Sequence, residues 1–451
     1  MNGENFLDHR KPLHMSEIGL KKALSPLMLW GLGVGYVISG MYFGWNLGLA
    51  EGGTYGLAIA TVFIIIMYVT FTFSYTEMAC AIPKAGGAFE YANRGLGKHL
   101  GFVAGIAQNI EFIFAPPAIA AAIGAYLNLV YPAIDLMVFA VGAYLIFTII
   151  NILGVKLAAS FELVITILAV IELLIFAGVT LPEFELSNLQ MNPLPNGYSG
   201  IFAAIPFAIW FFLAIEGVAN VAEEAINPQR NILIGFGSAI LTLVILCVLT
   251  FTAAVGVAGW EAVVYPTGSD MASDSPLPLA LSQIMDSGHI LYKLLIGIGL
   301  LGLIASFHGI ILAGGRATFE FGRKGYAPKY LGKVHNKFRT PTNALIVNTL
   351  LGIVALFTGA TGEIITIACF GALGLYIVSM FSFFALRKKE PAMERPFKVP
   401  MFPLFPAVAL IIASVAMLAM AYYNPMLAAI FFGIVLVSYL YFLLFLNKKM
   451  K

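Results

Sequence analysis

Four glutamates lie deep inside apolar stretches of this sequence, at Glu111, Glu162, Glu172 and Glu216. A charged side chain at the centre of a lipid bilayer costs about 2.5–3.5 kcal/mol on insertion scales. Each of these carboxylates therefore needs a cationic partner, a proton or a water-filled cavity. Because no apolar stretch offers a matching buried Lys or Arg, the partner that remains is a proton or a cationic ligand.

Glu111 is the carboxylate with the clearest chemical setting. It is followed by Phe112 and by Pro116-Pro117, and these prolines free backbone carbonyls within the same apolar stretch. We interpret Glu111 as a carboxylate that binds the ammonium group of a substrate. The alternative is a protonated glutamate that is hydrogen-bonded between helices.

Glu216 lies in an apolar stretch that also holds Trp210, Leu213 and Ala214. Tryptophan is the strongest cation–π partner for an ammonium group, worth about 2 kcal/mol when the cation is desolvated. We therefore expect Glu216 to join an amine site or to carry a coupling proton. The alternative is that Glu216 braces an interrupted helix.

His308 is a candidate of another kind, because an imidazole titrates in the physiological range and is suited to proton coupling. A lone histidine in an apolar helix is also commonly a hydrogen-bonded core residue. Glu162 lies nearer to the end of its stretch and is expected to be solvated. The sequence has no His, Cys, Asp and Glu cluster with metal-ligand spacing and no nucleophile–base pair, so we expect no metal, no cofactor and no enzymatic activity.

Membrane-spanning helices are the elements that would position these residues. The chain of 451 residues is 60% apolar and 11% charged, a balance that no soluble domain of this size needs. Apolar runs of about 20 residues are long enough to cross a bilayer as a helix. We predict twelve spans, numbered in chain order: 25–50, 54–81, 100–130, 134–153, 160–181, 200–222, 231–258, 290–318, 343–359, 362–386, 405–422 and 426–446.

The basic residues predict the orientation of these spans. All of the 25 Lys and Arg residues except Lys293 fall on one side of the membrane, which we call the basic side. The positive-inside rule assigns the basic side, and with it both termini, to the cytoplasm. Since topology explains the basic clusters, they do not indicate a nucleic-acid partner.

Spans 1 and 6 are interrupted near their middles. Span 1 carries Gly31, Gly33, Gly35 and Gly40, and span 6 carries Pro206, Glu216-Gly217 and Asn220. Two broken helices in equivalent positions are expected if spans 1–5 and 6–10 are inverted repeats. The alternative is that the glycines only let helices pack closely.

This organisation predicts one membrane domain without a separate soluble module. We divide the chain into a cytoplasmic segment 1–24, a first repeat 25–181, a second repeat 200–387, two further spans within 405–446 and a cytoplasmic tail 447–451. The first 24 residues lack an apolar core, so span 1 is expected to direct insertion without a cleavable signal peptide.

Three loop segments are similar to the signature of the amino acid–polyamine–organocation (APC) superfamily. They are residues 83–91 (PKAGGAFEY), 222–231 (AEEAINPQRN) and 316–328 (RATFEFGRKGYAP), which we call segments A, B and C. Within this superfamily, residues 35–46 (GYVISGMYFGWN), 74–79 (SYTEMA) and 111–118 (EFIFAPPA) resemble the bacterial ethanolamine permease group.

The resemblance implies an all-α integral membrane protein with about twelve transmembrane helices and alternating access. Its core would be a LeuT-like five-plus-five inverted repeat with helices 1 and 6 broken, followed by two C-terminal helices. It also implies that Glu111 lines the pocket, that Trp210 is an aromatic gate and that His308 lines the substrate path. Amino-acid members often carry a lysine midway along span 5, where this chain has Ala169, and Glu172 is the candidate to replace it.

The break of span 1 bears on the substrate. Amino-acid transporters of this fold bind the substrate carboxylate at small residues there, whereas this chain has Ser39-Gly40-Met41. Met41 hinders a carboxylate and Glu111 adds a negative charge, so both favour a small cation such as ethanolamine. The predicted substrate-binding residues are Tyr36, Val37, Ser39, Gly40, Met41, Glu111, Phe112, Trp210, Leu213, Ala214, Glu216 and His308, and the coupling candidates are Glu216, Glu172 and His308.

The sequence thus predicts a secondary active transporter for ethanolamine or a related amine in a bacterial inner membrane. The alternative is an amino acid or polyamine permease or exchanger of the same superfamily. The partners would be the amine, the lipid bilayer and a coupling proton or sodium ion, with exchange and facilitated diffusion as the alternatives to ion coupling. A sodium site could use the hydroxyl of Ser306. A channel would need a continuous polar pore, and a sensor would normally add a soluble domain.

Overall fold

The structure, a computed structural model, describes residues 22–84, 86–153 and 158–446. Within these ranges the regular elements are helices, apart from one isolated parallel bridge between Leu24 and Ala225. Ten of the described helices are long and apolar enough to cross a membrane. The predicted all-α membrane fold is therefore confirmed, while most of segment 1–24 and the tail 447–451 lie outside the described residues.

The first half of the chain forms spans 1 to 5. Its helices are Pro26–Val37, Ser39–Tyr42, Trp45–Ala81, Ala88–Leu96, Lys98–Val130, Leu136–Leu153 and Ala158–Thr180. The helix Trp45–Ala81 joins the end of span 1 to span 2 through Gly53, whose φ of 63° is left-handed. A Cβ at this position would lie 2.6 Å from the carbonyl oxygen of Pro193, so only glycine fits the turn between the two spans.

The second half begins with short elements and continues with long helices. The short ones are Leu181–Glu183, Leu186–Leu189, Ser199–Ala203, Ile205–Trp210 and the 3₁₀ helix Ile215–Glu224. The later ones are Pro228–Ala258, Trp260–Val264, Pro276–Ser282, Ile290–Arg323, Thr342–Leu356, Thr361–Lys389, Leu404–Tyr423, Pro425–Tyr441 and the π-helical turn Phe442–Leu446. Each predicted span from 6 to 12 thus has a helical counterpart.

Both predicted helix breaks are present. The first half of span 1 ends at Ile38, and after Ser39–Tyr42 the chain leaves helical geometry again at Phe43 and Gly44. In span 6, the helix ends at Trp210, and Ala214 adopts a left-handed φ of 75° before the 3₁₀ helix begins. A left-handed conformation is costly for alanine, so the surrounding packing has to hold it.

The two breaks pack directly against each other. A Cβ at Gly40 would lie 3.0 Å from the Cα of Phe211, which explains why the residue at this contact has no side chain. The indole N–H of Trp210 donates to the carbonyl oxygen of Phe43 at 3.0 Å, and the two rings meet edge to face. The interrupted backbone therefore faces protein rather than lipid, as it must in a membrane.

Segments A, B and C meet on the basic side of the molecule. Gly87 of segment A contacts the side-chain oxygen of Asn220, which lies just before segment B. Lys324 of segment C lies 2.7 Å from Glu90 of segment A, and Arg316 of segment C lies 2.9 Å from Glu224 of segment B. These contacts join the ends of spans 2, 6 and 8 into one surface.

Span 3 runs through the centre of the molecule, and spans 11 and 12 lie at its edge. The helix Lys98–Val130 packs against spans 8 and 10, whereas Pro425–Tyr441 buries few side chains. Gly371 of span 10 allows the closest approach, because a Cβ there would lie 2.7 Å from the backbone nitrogen of Glu111. The division into repeats 25–181 and 200–387 stays a prediction.

Candidate functional site

Glu111 and Glu216 face each other at the centre of the protein. Both side chains are fully buried, and their carboxyl groups are neighbours. Span 3 presents Glu111, and the left-handed turn at Ala214 brings Glu216 toward it. Two residues that are far apart in sequence therefore form one acidic pair, which we call the central carboxyl pair.

The central carboxyl pair has unused hydrogen-bonding capacity. The hydroxyl of Tyr376 donates to Oε2 of Glu216 at 2.8 Å. Within the described residues, Oε1 of Glu216 and both carboxylate oxygens of Glu111 form no hydrogen bond. Because two adjacent buried carboxylates repel each other strongly, this arrangement needs a proton or a cation between them.

Tyrosines of spans 2 and 10 extend the polar site. The hydroxyls of Tyr376 and Tyr68 lie 3.2 Å apart, and the Tyr68 hydroxyl is 3.4 Å from the carbonyl oxygen of Ile209 in broken span 6. The sequence interpretation missed both tyrosines. Their signal was a phenol hydroxyl inside an apolar span, which needs a polar partner when it is buried.

Trp210 is buried and lies between the two breaks. Its indole N–H is occupied by the carbonyl oxygen of Phe43, so only its ring faces are available to a ligand. Close by, Trp45 donates its own indole N–H to the carbonyl oxygen of Met41 at 3.1 Å and stacks on Phe211. The predicted gate residue is thus part of an aromatic contact that holds spans 1 and 6 together.

The predicted residues of span 1 divide into two groups. Tyr36 lies beside Gly217, next to Glu216, and Phe112 reaches the same glycine from span 3. Ser39 points toward span 8 instead, where its hydroxyl lies 2.8 Å from the Ser306 hydroxyl. Ser306 also donates to the carbonyl oxygen of Tyr36 at 2.6 Å.

The remaining predicted residues of the breaks are buried. These residues are Val37, Gly40, Met41, Leu213 and Ala214. The side chain of Met41 has no exposed surface, in agreement with the expectation that it fills space at the break. The structure therefore gathers most of the predicted set around the two interrupted helices.

The two coupling candidates outside the breaks are Glu172 of span 5 and His308 of span 8, and they contact other helices at separate places along span 5. Glu172 is buried, and its Oε2 lies 2.5 Å from the hydroxyl of Tyr42, which also contacts the carbonyl oxygen of Ala169. His308 lies 3.2 Å from Oε2 of Glu162, with side-chain exposures of 2% and 1%. The expected solvation of Glu162 is wrong, because spans 1 and 8 cover this face of span 5.

A metal centre is not indicated by the side chains of the described residues. In these ranges, no group of three or more His, Cys, Asp or Glu residues is arranged to hold a metal ion. The cysteines Cys80, Cys247 and Cys369 are free and buried, as expected for core residues. The chemistry of the site is therefore that of carboxyl, hydroxyl and aromatic groups.

Comparison with known proteins agrees with this architecture. The chain is 28% identical over 413 residues to an uncharacterized transporter of Rhizobium meliloti, an alignment that covers 89% of this chain and 87% of the relative. It is 25% identical to a branched-chain amino acid permease of Bacillus subtilis, covering 88% of this chain and 87% of the relative. It is also 25% identical to a probable GABA permease of Pseudomonas aeruginosa, in an alignment that covers 82% of this chain and 80% of the relative.

The sequence profile of amino acid permeases matches residues 27–451, nearly the whole chain. This match includes both broken spans, the central carboxyl pair and segments A to C. The relatives described above are named transporters and permeases. The chain belongs to the amino acid permease family of the APC superfamily and is a multi-pass membrane transport protein rather than an enzyme.

Proposed function

We propose that this protein takes up ethanolamine, or a closely related small amino alcohol or primary amine, by alternating access. The central carboxyl pair carries the proposal, because Glu111 and Glu216 are fully buried and three of their four oxygens form no hydrogen bond within the described residues. A primary ammonium group has three N–H donors and one positive charge. It matches both the free acceptors and the charge that the pair lacks.

The same pair disfavours a substrate carboxylate. A zwitterionic amino acid would bring a third negative group into a sealed site that already holds two carboxyls. Met41 is buried in the short helix Ser39–Tyr42 at the span 1 break, where a smaller residue would leave more room for such a carboxylate. The hydroxyl of an amino alcohol needs only one neutral partner, for which Ser39, Tyr36 and the backbone carbonyls of the break are candidates.

The second candidate is a permease or exchanger for amino acids or polyamines. It is favoured by the relatives, which include the branched-chain amino acid permease of Bacillus subtilis and the probable GABA permease of Pseudomonas aeruginosa. A diamine would satisfy the central carboxyl pair as well as a monoamine would. The two candidates therefore differ mainly in what the site does with a carboxylate.

We further propose that the protein lies in a bacterial inner membrane with both termini in the cytoplasm. The distribution of Lys and Arg supports this orientation, since every such residue except Lys293 lies on the basic side. Transport inward from the opposite side would be coupled to a proton or a sodium ion, and the bilayer is the remaining partner.

Counterflow in proteoliposomes tests the proposed substrate. Vesicles are loaded with unlabelled ethanolamine, and the entry of labelled ethanolamine is measured with alanine, GABA, putrescine or choline as external competitor. We expect saturable counterflow that ethanolamine inhibits more strongly than alanine or GABA. Choline should compete poorly, because its methyl groups leave no N–H donor for Glu111.

The role of the site is tested by changing Glu111, with the same substitution of an exposed glutamate as the matched control. Glu111→Gln should abolish counterflow, whereas Glu363→Gln, which alters an exposed glutamate at the start of span 10, should leave it intact. Stronger competition by alanine than by ethanolamine would contradict the proposal and favour the amino acid permease reading.

A further inference from the structure

Glu162 and His308 form a buried acid–base pair apart from the central carboxyl pair. Nδ1 of His308 lies 3.2 Å from Oε2 of Glu162, and both side chains are almost completely inaccessible to solvent. The second oxygen, Oε1 of Glu162, is buried and has no hydrogen-bond partner within the described ranges. A free carboxylate oxygen at a sealed position is costly, so this pair requires an explanation.

The pair lies where spans 1, 5 and 8 meet. A Cβ at Gly35 of span 1 would lie 2.5 Å from Oε1 of Glu162, and a Cβ at Gly309 of span 8 would lie 3.1 Å from it. The carboxyl group thus fills the space that these glycines leave open. One turn further along span 5, the hydroxyl of Thr166 donates to the carbonyl oxygen of Gly31 in span 1 at 3.2 Å.

Among the residues that the structure describes, few charged or titratable groups lie near the pair. Span 1 contributes Tyr36, span 4 contributes Tyr144 against Phe307, and span 8 itself contributes Arg316, which is already paired with Glu224 of span 6. Among the described contacts, spans 7 and 9 bring no charged side chain to it. The imidazole is otherwise flanked by the rings of Phe147 and Phe161.

One proton is therefore what makes the pair electrically neutral. With one proton it is either an ion pair or a neutral acid beside a neutral imidazole, and without that proton it carries a full negative charge. A sealed, low-dielectric site strongly disfavours the uncompensated charge. The proton has to stay while spans 1, 5 and 8 remain packed together.

Contacts at the basic side hold this site closed. The backbone N–H of Ala23 donates to the carbonyl oxygen of Glu224 at 2.8 Å, and Leu24 pairs with Ala225, so the start of span 1 is fastened to the end of span 6. Opening on the basic side requires the first half of span 1 to leave its neighbours. Its departure would remove Gly35 from Oε1 of Glu162 and admit water to the pair.

We infer that Glu162 and His308 form a proton-binding site that couples substrate uptake to a proton gradient. The proton is loaded from the side opposite to the basic one and is held while spans 1, 5 and 8 stay packed. It leaves Oε1 of Glu162 for water when the first half of span 1 swings away. The inference rests on the proposed amine uptake for its transport readout. It goes beyond that proposal by assigning the coupling ion and its site to residues outside the central carboxyl pair.

Gradient-driven uptake in proteoliposomes tests the coupling. The membrane potential is clamped with valinomycin and equal potassium, the outside is made acidic and the lumen alkaline, and uptake of labelled ethanolamine is recorded. A free amine that crosses as the neutral base collects on the acidic side, so accumulation in the alkaline lumen cannot arise from leakage. Wild-type protein should accumulate the amine several-fold, and equal pH on both sides should abolish this accumulation.

Variants separate the pair from other carboxyls. Glu162→Gln should lose gradient-driven accumulation but retain counterflow at equal pH. A folding defect would remove both activities, so retained counterflow shows that the variant is folded. Glu183→Gln, beyond the outer end of span 5, is the exposed control and should behave like the wild type. If Glu172→Gln uncouples transport while Glu162→Gln does not, the coupling site is at Glu172 and the inference is overturned.

Failure of the inference is distinguishable from failure of the proposed substrate. Normal counterflow of wild-type protein without any response to the pH gradient overturns the inference and leaves amine transport standing. If no amine shows counterflow, the proposed substrate fails, and the pair is tested on the free protein by NMR of ¹⁵N-labelled imidazoles, with His308→Gln as the assignment. There, Glu162→Gln should change the ¹⁵N chemical shift of Nδ1 of His308, and an unchanged shift overturns the inference that the two side chains share a proton.

Discussion

The hydroxyl of Tyr376 in span 10 lies 2.8 Å from Oε2 of Glu216 and donates a hydrogen bond to that carboxyl. The other oxygen of Glu216 and both oxygens of Glu111 form no hydrogen bond within the described residues. The phenol therefore orients one half of the central carboxyl pair. A hydrogen bond to a charged group is typically worth about 1.5–3 kcal/mol, enough to affect ligand affinity measurably.

Tyr376→Phe should weaken binding of ethanolamine while preserving the fold. The ring still packs on Phe71 at a centroid distance of 4.4 Å, and the variant loses the hydroxyl that donates to Glu216 and contacts the Tyr68 hydroxyl. We expect a loss of about 1.5 kcal/mol, roughly tenfold in affinity, in a calorimetric titration. Tyr144→Phe is the control, because this buried hydroxyl lies on span 4, away from the central carboxyl pair. An equal loss of affinity in both variants would contradict the role assigned to Tyr376.

Trp210→Ala should weaken binding of the amine by about 1–2 kcal/mol through the loss of an aromatic face. Trp210→Phe should retain part of the affinity, although both variants lose the hydrogen bond to the carbonyl oxygen of Phe43. Affinities measured by thermal shift or calorimetry decide between the roles. Equal and large losses in both variants would mean that Trp210 acts through its link to span 1, and wild-type binding in both would make it packing only.

We expect the stability of the protein to depend on pH through Asp274, which lies in a loop on the side opposite to the basic one. Burial raises the pKa of this loop carboxyl to about 6, and the Thr361 hydroxyl at 3.0 Å offsets only part of the shift. Because the folded protein binds this proton more tightly than the unfolded chain does, the contribution of Asp274 to stability falls as the pH rises from about 4 to 6.

Asp274→Asn should remove this component of the pH dependence. The amide resembles the neutral acid, so the variant should gain thermal stability relative to the wild type at pH 7.5 and less at pH 4. Thermal unfolding in detergent across this range provides the measurement, with Asp270→Asn in the same loop as the control. A constant difference between wild type and variant at every pH would show that the carboxyl of Asp274 does not titrate differently in the fold.

The helices and their breaks were largely predictable, because hydropathy and small residues act locally. Apolar length placed the spans, and the small and polar residues of spans 1 and 6 indicated that both helices would be interrupted. They did not mark the exact positions, because Gly31, Gly33 and Gly35 lie inside the helix Pro26–Val37 and Pro206 lies inside Ile205–Trp210. Met41 and Glu111 were identified for the same reason, since each residue type is unusual for its place in a span. The superfamily resemblance of segments A to C supplied the arrangement of the spans.

The pairings within the site were not predictable from local patterns. Position along span 5 indicated how far Glu162 lies from the end of the helix, but not that Gly35 and His308 cover it. The contact of Glu111 with Glu216 depends on the left-handed turn at Ala214, which no local residue preference announces. Tyr68 and Tyr376 were missed because their roles arise from a contact between spans 2 and 10.

Binding of ethanolamine to Glu111→Gln and Glu216→Gln, measured by calorimetry beside the wild type, tests the central carboxyl pair most directly. Glu111→Gln keeps the shape of the side chain but removes the charge that offsets desolvation of the ammonium group, which costs about 2–5 kcal/mol, or roughly thirty-fold or more in affinity. Glu216→Gln should keep measurable binding, because Glu111 still offers its charge to the ammonium group, and should lose turnover. Normal binding by both variants would contradict the account, because the cation would then be held by aromatic faces and backbone carbonyls rather than by the carboxyl pair.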